Sequence, residues 1–417
     1  MKKLILLWFL FLVVIVLLTG CYDKRELEQQ SYVIAVGVDK AEDKKFKFTF
    51  QIANPEVGSM ITGGGSKEEA DEIVSVTAND LITAANTANS TVTKEITLDH
   101  SKVIVVSEEL AKSGDLLRFM QSTTRTTQIR PGVQLVVSKE KAETFIKSNN
   151  PTLETRPHKY YQFMLNRAHE TGIIPNSDIH RFFQITEGDA DLFLAIYATA
   201  EKKKEDIKEE GKEDEFIAGQ IPVDGQNPVE FMGSAVFKEG IMIDTLDGQE
   251  TRLANVFDVT LNMQDLASTY DDPLAKEYDI SASYVQRRDP KIDVQYHKNK
   301  PTVIHVTVPF SIEVLAIPSL INYAEDQEKQ EILRKSISNN LEEKAQKLIK
   351  KTQEDYGAEP FYWSLYVRKY FLSIPEYEEA DWNKKIYPDA EIHVDFQLNM
   401  IEFGKIMSDT DLDETRD

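Results

Sequence analysis

From Leu4 to Leu18 the chain is apolar without a break, and Thr19, Gly20 and Cys21 follow directly. Lys2 and Lys3 precede the run, so the first twenty residues carry the parts of a secretory signal: a positive start, an apolar stretch and small residues before a cut. Fifteen apolar residues fall short of the ~20 that a spanning helix needs. The expected cleavage lies between Gly20 and Cys21, which makes Cys21 the first mature residue and the attachment point for an S-diacylglyceryl group and an N-acyl chain. Only a thiol can form that thioether, and Cys21 is the only cysteine. More than one acyl chain is what stable anchoring takes, at ~0.8 kcal/mol per buried methylene.

Beyond the polar spacer Tyr22–Gln30 the pattern changes to sheet. Ser31–Asp39 reads as a buried strand, and Lys44–Ile52 alternates as its hairpin partner, with Glu42-Asp43 in the turn. Gly63-Gly64-Gly65-Ser66 reads as a loop tip and lacks the spacing of a phosphate-binding loop. Helical spacing then predicts an amphipathic helix over Glu68–Ala88, followed by a strand at Lys102–Val106, a helix at Glu108–Met120 and a strand at Gly132–Val137. Three further helices are expected at Lys139–Ile146, Tyr160–Thr171 and Ser177–Thr186. This alternation predicts an α/β unit over residues 21–200.

Residues 201–228 open with Glu201–Glu215, in which only Ile207 and Gly211 are uncharged. The expectation is a solvated linker or excursion that adds nothing to a core. Past it, Glu230–Phe237 and Ile241–Leu246 form a hairpin pattern around Lys238-Glu239-Gly240. Tyr278–Arg287 and Thr302–Leu315 alternate like half-buried antiparallel strands. A long helix is predicted over Tyr323–Asp355, its apolar face carrying Ile332, Ile337, Leu341, Ala345, Leu348 and Ile349. Phe361–Phe371 reads as a helix or strand, Glu391–Ile401 as a closing strand, and 406–417 as an acidic tail. Residues 229–405 thus predict a second α+β region, with room for two subdomains. The whole is a multi-domain α+β or mixed α/β fold, of mixed and antiparallel sheets flanked by helices.

Composition narrows the partners. Loss of Lys2 and Lys3 leaves 46 of 48 basic residues against 70 acidic ones, a formal charge of −24. Such a chain is not expected to bind nucleic acid or to grip anionic lipid headgroups through its folded part. With Cys21 taken by lipid, no disulfide and no thiolate metal site is available. About 395 mature residues exceed the size at which a single core keeps growing, so two or three domains are expected.

Tests for chemistry return little. None of His100, His158, His169, His180, His297, His305 and His393 lies near a partner at metal-ligand spacing, and no metal or cofactor is expected. His158, His169 and His180 are eleven apart, but Gly172 and Pro175 break any common helix. Nucleophile, zinc-protease and dinucleotide motifs are absent. Arg118, Arg125 and Arg130 frame a threonine-rich stretch where a carboxylate ligand has a place, although ion pairs within so acidic a chain are the simpler reading. No catalytic residue and no ligand-binding residue is nominated.

Taken in order, the segments resemble the Ger(x)C family of spore germination lipoproteins, the C subunits of nutrient germinant receptors. After the lipobox, Cys21-Tyr22-Asp23-Lys24-Arg25-Glu26-Leu27 is similar to the family's opening, with Tyr22 in place of tryptophan; Val36-Gly37-Val38-Asp39-Lys40 follows. His100-Ser101-Lys102-Val103-Ile104-Val105-Val106 and Glu109-Leu110-Ala111 resemble the next block. Gly233-Ser234-Ala235-Val236-Phe237-Lys238 and Leu246-Asp247-Gly248-Gln249-Glu250-Thr251-Arg252 are similar to the signature of the second half. Trp382, Tyr387-Pro388-Asp389-Ala390, Val394 and Ile401-Glu402-Phe403-Gly404 resemble its close. Two departures stand out. Glu359-Pro360-Phe361 sits where the family has an aspartate and a glycine-containing apolar run, and Phe371–Ala380 is longer than usual before Trp382.

The resemblance implies a noncatalytic receptor subunit, lipid-anchored through Cys21 on the outer face of the spore's inner membrane. Its implied partners are the membrane-embedded A-type and B-type subunits, and no deep ligand cleft is expected in its folded part. A solute-binding lipoprotein of a transporter shares the anchor but needs two α/β lobes around a polar pocket, which the alternating strands of the second half do not suggest. A lipid-anchored hydrolase needs convergent titratable groups in a pocket, and the sequence nominates none.

Overall fold

The computed structural model describes residues 1–17, 29–54, 70–188, 191–208, 210–223, 225–258, 263, 266–286, 288–298 and 300–404. Helix α1 (Lys2–Leu17) holds the apolar run from Leu4 to Leu17. At 1.5 Å per residue its 16 residues are shorter than a ~30 Å hydrocarbon core. Among the described residues no helix is long and apolar enough to cross a membrane. The loop tip at Gly63–Ser66 and the tail 406–417 lie outside the described residues.

Two sheets carry the fold. The nine-stranded first sheet contains β1 (Gln30–Lys40), β2 (Phe46–Ala53), β3 (Asp71–Ala78), β4 (Glu95–Thr97), β5 (Val103–Ser107), β6 (Gln134–Ser138), β7 (Phe193–Thr199), β8 (Glu230–Lys238) and β9 (Ile241–Leu246). Its order is β3-β2-β1-β5-β6-β7-β8-β9, with β4 beside the start of β1. Strands β1, β5, β6 and β7 run parallel, while both edges are antiparallel hairpins. The β1–β2 pair and the β8–β9 pair form as hairpins, as expected. In the second hairpin Glu239 and Gly240 both take positive φ (51° and 79°), as a two-residue turn compatible with strand twist requires.

The predicted helix over Glu68–Ala88 is replaced by β3 and a shorter helix, α2 (Leu81–Ala88). Asp71–Ala78 is rich in β-branched residues, and the open edge of β2 offers it a complete ladder, so pairing overrides the helical spacing. Asp80 starts α2 by accepting the Thr83 N–H at 2.9 Å. The single helix expected at Glu108–Met120 is two, α3 (Glu108–Ala111) and α4 (Asp115–Thr123), broken at Lys112-Ser113-Gly114. Helices α5 (Ala142–Ser148), α6 (Pro157–Glu170) and α7 (Ile179–Thr186) lie near their expected places. Asp39, buried at the end of β1, accepts the Ala142 and Glu143 N–H groups at 2.7 and 3.0 Å and so caps α5. Helices α2, α4 and α7 bury Leu81, Phe119 and Phe182 on one face of the sheet; α5 and α6 bury Phe145 and Tyr161 on the other.

The second sheet comprises β10 (Leu266–Asp271), β11 (Asp279–Val285), β12 (Lys291–Gln295), β13 (Val303–Ala316) and β14 (Glu391–Glu402). Strand β13 pairs antiparallel with β11 and β12 but parallel with β14, through a connection that carries the long helix. That helix, α9 (Gln327–Lys351), is capped by Asp326 and followed by a π-helical stretch that ends at Gly357 (φ 59°). Its buried face begins at Leu333 and continues through Ile337, Ala345, Leu348 and Ile349, whereas Ile332 is exposed. The outer edge of β14 is closed by α9: Gln346 donates to the Ile392 carbonyl (3.1 Å), Glu342 accepts the Phe396 N–H (3.1 Å), and Arg334 donates to the Leu398 carbonyl. Side chains thus occupy backbone groups that would otherwise template another strand.

The joint between the sheets is α8 (Gly248–Asp258), which buries residues all around its circumference. Leu192, just ahead of β7, and Leu194, Val236 and Leu246 of the first sheet share one apolar core with Leu253, Val256 and Phe257 of α8 and with the second sheet. The sheet therefore crosses the expected boundary, because β8 and β9 belong to the first sheet although they follow the charged stretch. That stretch is an excursion between neighbouring strands β7 and β8, and part of it is packed. Asp214 and Phe216 are buried, which corrects the expectation of a wholly solvated segment.

The reason is Arg252. Its guanidinium meets Asp214 at 2.9 Å and also donates to the Thr171 carbonyl (2.9 Å), the Ala267 carbonyl (3.1 Å) and Ser268 Oγ (3.2 Å). A planar fork with several donors can tie four segments together, which an ammonium group cannot. Around it, Asp247 accepts the Glu250 N–H (2.8 Å) while Glu250 accepts the Asp247 N–H (3.1 Å), a reciprocal cap for α8. A Cβ on Gly248 would lie 2.6 Å from Met232 Sδ, and one on Gly233 (φ 84°) 2.4 Å from the Leu246 carbonyl oxygen. The residues of the second-half signature are thus those that build this joint.

Replacing Arg252 with Ala leaves Asp214 buried without its cation, and the expected loss is about 3–5 kcal/mol. A fall in the urea midpoint at unchanged slope measures it. Replacing both Arg252 and Asp214 with Leu should restore much of the loss, since no charge is then stranded.

Candidate functional site

Gly20 and Cys21, the residues expected to be cut and lipidated, lie outside the described residues. Arg118, Arg125 and Arg130 are all exposed. The histidines are scattered: His100 stacks edge-on with Tyr32 (4.8 Å), and His169 pairs with the Pro175 carbonyl (3.1 Å), its pKa lowered by burial. Only His305 and His393 meet, as stacked cross-strand neighbours 5.1 Å apart on the exposed face of the second sheet. Among the described residues no group of three or more His, Cys, Asp or Glu is placed to hold a metal ion.

The chemistry that the sequence did not nominate lies at a second seam between the sheets. Asp191, just ahead of β7, and Glu359, just past Gly357, form an isolated parallel bridge, with the Leu192 N–H donating to the Glu359 carbonyl at 3.0 Å. Glu359 is fully buried, and its carboxylate accepts the N–H groups of Phe361 (2.5 Å) and Ser364 (3.1 Å). Ser364 Oγ donates to Asp191 Oδ2 at 3.0 Å, while Oδ1 of Asp191 meets no donor within the protein. The two carboxyl groups adjoin, so a proton held between them satisfies both.

Burial is the main cause that raises both pKa values above the usual carboxylate range, and for Glu359 the neighbouring Asp191 charge comes next. The Ser364 hydroxyl and then the Arg368 charge oppose the shift at Asp191. Beside the pair, Arg181 is ion-paired with Asp258 and stands 4.4 Å over the ring of Tyr362. Phe257, Phe361 and Trp363 close its apolar side, with ring centroids 4.7–5.6 Å apart. A surface groove of about 300 Å³ borders Asp191, with Lys238, Glu239, Tyr377, Trp382 and Asn383 in its wall. Lys238 reaches across the seam to the Tyr356 carbonyl at 2.6 Å. The one sequence signal for this seam was Glu359-Pro360-Phe361, which departs from the resembled pattern.

Fold and seam define the class: a two-sheet α+β protein whose halves share one core and are joined by buried charge. The family model described as "Spore germination protein N-terminal domain" matches residues 23–199, and that described as "Spore germination B3/ GerAC like, C-terminal" matches 232–404. The chain belongs to this Ger(x)C family of spore germination proteins. Spore germination protein KC of Bacillus subtilis is 32% identical over 149 residues, which cover 35% of this chain and 37% of that protein. Spore germination protein B3 of B. subtilis is 21% identical over 93% of this chain and 95% of its own length. Spore germination protein GerQC of Bacillus cereus is 21% identical over 94% and 96%. A solved structure titled "Crystal Structure of the GerBC protein" superposes with a TM-score of 0.50 at 15% identity, covering 91% of this chain and 99% of that one, which supports the fold.

The carboxyl pair has a measurable signature. A raised pKa means that the folded chain holds a proton where the unfolded chain has released it. The pair's contribution to stability is thus full below about pH 4 and is lost as the pH rises into the neutral range. In Asp191→Asn this loss should shrink, so melting temperatures of variant and wild type should converge or cross as the pH rises from about 4 to 8. Parallel curves would reject a shared proton at this seam.

Proposed function

We propose that this protein is a lipid-anchored, noncatalytic subunit of a nutrient germinant receptor, held by Cys21 on the outer face of the spore's inner membrane and acting with the membrane-embedded A-type and B-type subunits. The observation that carries the reading is coverage: family models match 23–199 and 232–404, and relatives named spore germination proteins align over more than nine-tenths of the chain. The apolar run closed by Leu18-Thr19-Gly20-Cys21 supports the anchor. The excess of acidic residues supports attachment through lipid rather than through the folded surface. A tether raises the effective concentration of the chain at its membrane partners, so modest contacts suffice for assembly. A transporter's solute-binding protein would place two α/β lobes around a pocket, whereas here the second half is built around a largely antiparallel sheet.

Spores making wild-type protein and spores making Cys21→Ala, each given one nutrient at a time, test the reading. The variant should leave the membrane fraction, and the response to at least one nutrient should be lost or strongly slowed. Unchanged responses to every nutrient at wild-type protein levels would overturn the need for the anchor. Unchanged responses in spores lacking the whole chain would overturn the receptor role.

A further inference from the structure

The stretch between α10 (Ser364–Val367) and α11 (Ile374–Ala380) turns apolar side chains outward. Leu372 is 99% exposed, Ile374 73% and Leu365 53%, with Tyr366 and Tyr370 beside them also exposed. The backbone beneath them is held in place. Leu372 N–H donates to Glu376 (2.9 Å), Ser373 caps α11, Tyr370 donates to the Val294 carbonyl (2.6 Å), and Phe371 lies against Tyr296 and Tyr377 (5.0 and 5.6 Å). Isolated exposed apolar residues are ordinary, but a fixed cluster of them marks a contact surface.

Topology places this surface. Leu372 and Ile374 border Glu187 and Gly188, which lead into β7, and Ser364 is bonded to Asp191 at the start of that strand. Strand β7 runs parallel to β1 through β6 and β5, with Ala35 level with Val103 and Gln134, and Val136 level with Ile196. Gln30 therefore projects from the same end of the sheet as the apolar loop. The chain arrives at Gln30 from Cys21, nine residues upstream, which at ~3.3–3.6 Å per residue reach at most about 30 Å. A lipid on Cys21 keeps this end of the sheet near the bilayer.

We propose that the loop around Leu372 and Ile374 is a second membrane contact, inserting its apolar side chains into the surface of the bilayer that holds Cys21. Local charge nearly cancels: Arg368, Lys369, Lys384 and Lys385 stand against Glu187, Glu376, Glu378, Glu379 and Asp381 within a strongly acidic chain. Exposed Leu and Ile with the half-exposed rings of Tyr366 and Tyr370 nearby in the chain suit a zwitterionic interface, where aromatic rings sit at headgroup level. The inference relies on the lipid-anchor reading only for where the bilayer lies.

The test couples the mature chain through its single cysteine to maleimide-lipid in phosphatidylcholine vesicles, with Leu372→Trp or, as a control at the far end of the sheet, Val223→Trp. The Leu372→Trp chain should show a blue shift and a loss of emission with brominated lipid, relative to its parent, and the Val223→Trp chain neither. Leu372→Asp combined with Ile374→Asp should lower the vesicle partition of the uncoupled chain roughly tenfold or more. Equal quenching of the two tryptophan variants while the coupled chain still floats with vesicles overturns the contact. Crosslinking of position 372 to a membrane protein in spore membranes, with no lipid quenching in the vesicles, overturns it in favour of a protein groove. Because the coupling is chemical, either result is separate from failure of Cys21→Ala in spores, which bears on the anchor alone.

Discussion

The buried pair of Arg252 and Asp214 is the interaction on which the arrangement of the two sheets depends. A guanidinium taken out of water costs several kcal/mol unless its donors are met, and here three segments meet them: the excursion at Asp214, the end of α6 at Thr171, and β10 at Ala267 and Ser268. Satisfying one side chain thus fixes where the excursion returns, how α8 lies, and how the second sheet meets the first. The neighbouring Gly233, Asp247 and Gly248 belong to the same construction, because each allows α8 to approach backbone that a larger or uncapped residue would push away.

The seam at Asp191 and Glu359 works by a different principle. There the two halves are joined by adjoining carboxyl groups, a bridge of backbone and a serine hydroxyl, without a fully paired cation. Such a seam is strongest when a proton is present and weakens when both groups ionise, so it is the natural place for the halves to loosen relative to each other. One junction fixes the fold, and the other leaves its tightness open to conditions. The apolar loop at 365–374 follows directly from the second junction, whose Ser364 bonds both Glu359 and Asp191.

The protection of β14 is of the same economy. A twelve-residue edge strand is an aggregation hazard, and α9 answers it with three polar side chains at positions 334, 342 and 346, all on one helix face. That leaves the second sheet free to present a polar outer surface, including the stacked His305 and His393, without inviting strand addition along that edge.

Much of the local structure was legible in the residues. An unbroken apolar run located β1, alternating runs located β2, β11 and β13, the Lys238-Glu239-Gly240 turn set the second hairpin, and the helical period located α9 to within a few residues, because each signal resides in neighbouring positions. The address proposed for Leu18-Thr19-Gly20-Cys21 likewise rests on neighbouring positions alone. What the sequence left open were matters of pairing. Asp71–Ala78 became a strand because β2 had a free edge, and Asp214 left a solvated run of charge because Arg252 offers it a buried cation, whereas Leu333 in place of Ile332 restores the spacing of four to Ile337. Asp191 and Glu359, 168 positions apart, gain their chemistry only when two halves of the chain close on each other. A residue's propensity travels with it, but burial and partnership belong to the assembled fold, and those decided both the joint and the seam.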